Sequence, residues 1–74
     1  MRILLAREIG SGRFEKVLVA SFRQDGTGSL PLKWNGTLES RIVRNAGRFF
    51  AAESAAREQT LVMYGTTYRV TRVD

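Results

Sequence analysis

The stretch TLESRIVRNAGRFFAAESAARE, Thr37 to Glu58, decides the fold, because no other segment is long and periodic enough to form a helix. At 3.6 residues per turn, Leu38, Ile42, Val43, Ala46, Phe49 and Phe50 fall on one side. Arg41, Arg44 and Arg48 stack on the opposite side at i, i+3 and i+7. The apolar stripe has to be buried, so the arginines face outward. Asn35-Gly36 turns the chain, Thr37 is placed to cap the helix, and Glu39 lies in the first turn, where the helix dipole favours an acid. Gly47 costs roughly 1 kcal/mol in a helix interior and Glu53 interrupts the apolar stripe, so the expectation is one helix that loosens after Ala52. Ala51, Ala52 and Ala55 would extend the arginine side as a smooth surface.

Upstream, Arg2 to Glu8 and Phe14 to Arg23 read as two strands joined by a turn at Gly10-Ser11-Gly12, where glycine supplies the positive φ that hairpin connections need. Strict alternation puts Phe14, Leu18, Ala20 and Phe22 on one face of the second strand and Val17 and Val19 on the other. Ile3 and Leu5 likewise oppose Leu4 and Ala6. Both faces of this hairpin are therefore apolar, and one helix covers only one side of a sheet. The second side calls for a half-barrel or for a homodimer through the sheet.

Gln24 to Ser29 is a loop by composition, with its tight turn at Asp25-Gly26. Leu30-Pro31-Leu32-Lys33-Trp34 alternates like an extended segment, but Pro31 donates nothing to a ladder and demotes it to an edge strand or covering loop. Leu30, Leu32 and Trp34 would then point the same way. Downstream of the helix, Thr60 to Tyr64 and Tyr68 to Val73 form a second hairpin turning at Gly65-Thr66-Thr67. In its last strand Tyr68, Val70 and Arg72 take one side, and Arg69, Thr71 and Val73 the other. The expected fold is α+β, a single small domain over residues 1–74. An antiparallel β-sheet of four or five strands, two hairpins in the order ββ(β)αββ, packs on one central helix.

The chain has no cysteine and no histidine, which removes disulfides, thiolate metal sites, a cysteine nucleophile and the usual neutral-pH general base. No apolar run approaches a membrane span, and the apolar start stops at Arg7-Glu8, short of a signal-peptide core. A cytoplasmic, non-enzymatic protein without membrane, metal or cofactor is expected. Glu8 and Glu15 face each other across the first hairpin in this reading, but Arg7, Arg13 and Lys16 crowd them into an ordinary surface charge network. Neither glycine-rich turn feeds a helix, so neither is a phosphate loop. Trp34, Tyr64 and Tyr68 are assigned to core packing ahead of base stacking.

What remains is charge. The net charge is +5, and ten of the twelve basic residues are arginine, the side chain whose planar fork suits phosphate and carboxylate. Arg41, Arg44 and Arg48 on the helix, with Arg69 and Arg72 on the last strand, form the expected binding set. The partner is then nucleic acid, held through its phosphates, or an acidic protein surface. The alternative function is a small protein-binding inhibitor or adaptor of a mobile element, such as an anti-defence protein that blocks a host nucleic-acid-handling complex.

Overall fold

A computed structural model describes every residue from Met1 to Asp74. Four strands, β1 (Arg2–Gly10), β2 (Arg13–Ser21), β3 (Glu58–Met63) and β4 (Thr66–Arg72), flank one helix, α1 (Leu38–Ala52), in the chain order β1-β2-α1-β3-β4. All pairings are antiparallel, and the order across the sheet is β2-β1-β4-β3. The two central strands carry the residues with most to gain from burial. Leu5 sits opposite Leu18 on one side and Val70 on the other, and all three are buried.

The helix starts where its capping residue is satisfied. The Thr37 hydroxyl accepts the Ser40 N–H at 3.1 Å and donates to the Trp34 carbonyl at 2.8 Å. It runs unbroken through Gly47 and ends as the Glu53 N–H closes on the Phe49 carbonyl at 2.8 Å. Ile42, Val43, Ala46 and Phe50 meet Ile3, Leu5, Leu18, Ala20, Phe22, Tyr68 and Val70 of the sheet side to form the core. Phe50, Ile3, Leu5, Val43 and Val70 are sealed completely. With extents of 33 × 29 × 18 Å the molecule is two layers thick, helix on sheet, and no helix or strand covers the second face of the sheet. No helix is long and apolar enough to cross a membrane.

Several local expectations are corrected. A register shift sits where Leu5 pairs with Leu18 but Ala6 pairs with Lys16, leaving Val17 as the extra residue of a β-bulge. Because side chains alternate with period two, one extra residue flips everything beyond it. Phe14 pairs with Glu8 and lies on the open face, away from Leu18 and Ala20. The same shift separates the two acids. Glu15 pairs with Arg7 on the helix side, and its carboxylate accepts from the Arg7 guanidinium, which raises the Arg7 pKa. Glu8 instead accepts the Gly12 N–H at 3.0 Å, in the turn.

The proline segment makes no fifth strand. Leu32–Trp34 is a single 3-10 turn, so Leu30 and Trp34 reach the core while Leu32, on the far side of the turn, is 85 % exposed. The second hairpin closes one step earlier than its composition suggests, with Tyr64 and Gly65 between paired Met63 and Thr66. Their φ values of 51° and 78° are those of a type I′ turn, whose twist matches the strands it joins. Tyr64, assigned to the core from its aromatic character, is 88 % exposed at the tip of that turn.

Candidate functional site

The helix projects Arg41, Arg44 and Arg48 within one narrow sector, on the flank that also carries Gly47. Arg41 and Arg48 are exposed and Arg44 is half-buried. No carboxylate lies within 4 Å of any of them, since the side-chain ion pairs join Arg7 to Glu15 and Arg72 to Asp74. Asn45 accepts from the Arg48 guanidinium at 3.1 Å, which orients that side chain without neutralising it.

The loop after β2 is laid against this flank. Phe22 fastens its start, donating its N–H to the Met1 carbonyl at 2.7 Å and burying its ring in the core. Arg23 then donates its N–H to the Thr27 carbonyl at 2.7 Å, and Gly26 returns its N–H to the Arg23 carbonyl at 2.9 Å, so the loop is a compact turn. Asp25 Oδ1 accepts both the Thr27 hydroxyl at 2.6 Å and the Thr27 N–H at 2.9 Å. Those bonds hold the Asp25 carboxyl below its ordinary pKa. The folded loop and the helix leave a shallow cleft of about 420 Å³ between them, lined by Phe22, Asp25, Gly26, Thr27, Gly28, Arg44 and Arg48.

The structure thus divides the five arginines expected from the sequence. Arg41, Arg44 and Arg48 form one ridge. Arg69 is on the opposite, open face of the sheet, its guanidinium 4.2 Å from the centre of the Phe14 ring, with its ladder partner Ala6 buried beside it. Arg72 is committed internally. Its guanidinium donates to Asp74 at 2.9 Å and to Gln24 at 3.2 Å, with only 15 % of the side chain accessible. Arg23, outside the expected set, belongs to the same loop, its guanidinium 3.5 Å from Thr27 Oγ1, but it does not line the cleft with Arg44 and Arg48. Its place at the start of a glycine-rich loop signalled a turn, and nothing local signalled which element that turn would meet.

Comparison of the chain with protein-family models, curated proteins and solved structures gives no match.

Proposed function

We propose that this protein is a non-enzymatic binding module that grips the phosphates of a nucleic acid with the arginine ridge of α1. The observation that supports the reading is the state of Arg41, Arg44 and Arg48: aligned on one outer sector of the helix, with no carboxylate within 4 Å of any of them. Arg41 and Arg48 are seven residues apart, about 10 Å along the helix axis at 1.5 Å per residue, a span that reaches neighbouring phosphates. The contact is to backbone and carries little sequence preference of its own.

The test is fluorescence anisotropy with labelled duplex DNA, single-stranded DNA and RNA at several salt concentrations. Affinity should fall with salt by about 0.9 log unit per log unit of salt for each duplex phosphate contacted. Arg44→Glu with Arg48→Glu should lower affinity at least tenfold and flatten that slope. Binding by this double variant equal to that of the parent would remove the ridge as the site.

A further inference from the structure

The two edges of the sheet are built differently. The β2 edge is guarded: it is interrupted by the bulge at Val17 and carries Arg13, Glu15 and Lys16, the devices by which sheets avoid edge-to-edge pairing. The β3 edge keeps only one of them, a charge at its end. Its register with β4 is unbroken from Glu58 to Met63, it contains no proline and no basic residue, and its single charge is Glu58 at one end.

The ladder also fixes which backbone groups are free. Met63 and Thr66 flank the two-residue turn and form its closing hydrogen-bonded pair, and the Arg72 N–H donates to the Arg57 carbonyl at 2.8 Å in the same phase. The inward-facing residues of β3 are therefore Gln59, Leu61 and Met63. Glu58, Thr60 and Val62 turn their N–H and C=O groups outward, and none of those groups finds a partner elsewhere in the chain. Beside this bare edge stand two of the most exposed large apolar residues, Val62 at 64 % and Tyr64 at 88 %.

We propose that a second copy of the chain pairs with this edge, β3 against β3 about a two-fold axis at Thr60, making one continuous eight-stranded antiparallel sheet. In that register Glu58 faces Val62 of the other copy and Thr60 faces Thr60, so no like charges meet and a favourable hydroxyl pair forms at the axis. The same strand from an unrelated partner would satisfy the backbone; in the self-pairing Gln59 faces Leu61 of the other copy on the helix side, so neither row sets like charges together, and the Thr60 pair favours a second copy. A two-fold axis perpendicular to the sheet keeps both helices on one face. With α1 seated over β1 and β4 and strands 4.7–4.9 Å apart, the axes of the two helices lie about 20 Å from each other on that face, each carrying its arginine ridge. The dimer so deepens the phosphate-binding reading, on which this last step rests, by presenting two ridges to one duplex.

Sedimentation equilibrium without nucleic acid tests the pairing by itself. From micromolar to several hundred micromolar, the mass should rise from the 8.3 kDa of the chain to twice that value. Thr60→Pro removes an outward N–H that the ladder with β4 does not use, and Thr60→Lys sets two cations against each other at the axis, beside the Arg69 that is its ladder partner within the chain. Both should stay monomeric with the parent's circular dichroism spectrum, whereas Arg44→Glu with Arg48→Glu should dimerise normally. A parent that stays monomeric throughout, or Thr60 variants that still dimerise, would overturn the proposal. Neither result touches the ridge itself, which the anisotropy experiment reads separately. If dimerisation holds, Thr60→Lys should weaken binding to duplex DNA at least tenfold more than to a short single strand.

Discussion

Gly26 and Gly47 meet backbone to backbone: a Cβ on Gly26 would come within 2.8 Å of the Gly47 carbonyl oxygen, and one on Gly47 within 3.3 Å of the Gly26 oxygen. The glycine that looked costly inside the helix is what lets the loop lie against it. The two positions differ in consequence. Gly26 has φ +84° and faces rigid backbone, so Gly26→Ala should cost about 2 kcal/mol or more in urea denaturation. Gly47→Ala gains about 1 kcal/mol of helix propensity against a small displacement of the loop, and should fall within about 1 kcal/mol of the parent.

Tyr64 is the only non-glycine residue with positive φ, and it gains no burial in return. Asparagine accepts that conformation far more readily, and Asn-Gly is the preferred type I′ pair. Tyr64→Asn should raise stability by roughly 0.5–1 kcal/mol by the strain it removes. The measurement belongs in the Thr60→Lys background, where self-association makes no contribution.

Asp25 makes the loop acid-sensitive. Its folded pKa lies below the ordinary value of 3.8, with the Thr27 hydroxyl the largest cause and the Thr27 N–H the next. A depressed carboxyl contributes stability that is fully present above its unfolded pKa and lost as pH falls through the folded one. Thr27→Val keeps the N–H but removes the hydroxyl, so the Asp25 pKa read by NMR should rise toward the ordinary value. The acid-unfolding limb should move to higher pH with it. An unchanged Asp25 titration in Thr27→Val would show that the backbone bond alone sets it.

Arg72 and the helix arginines should separate cleanly. Arg72 ties β4 to Asp74 and to Gln24 of the loop, and its pairing lowers the Asp74 pKa. Arg72→Gln should therefore cost about 1 kcal/mol of stability while leaving phosphate affinity within twofold of the parent. Substitution at Arg44 and Arg48, which are tied to no acid, should do the reverse. A large loss of affinity in folded Arg72→Gln would return Arg72 to the binding surface.

The sequence by itself determined the elements. The 3.6-residue spacing of Ile42, Val43, Ala46 and Phe50 requires a buried helix face and sends Arg41, Arg44 and Arg48 to the other side. Period-two alternation in Tyr68-Arg69-Val70 likewise separates a buried row from a half-buried one. These are local properties of backbone geometry and solvent, so they can be read one segment at a time. Tertiary structure decided everything that depends on what stands opposite. The bulge at Val17 moved Phe14 to the open face and under Arg69, because register is a property of two strands together. Gly47 became intelligible only once Gly26 lay against it, and Arg72 left the binding set only once Gln24 and Asp74 were in reach. Alternation along β3 did not reveal that its edge is bare; that followed from the sheet order, which places β3 outermost with no neighbour to take its hydrogen bonds.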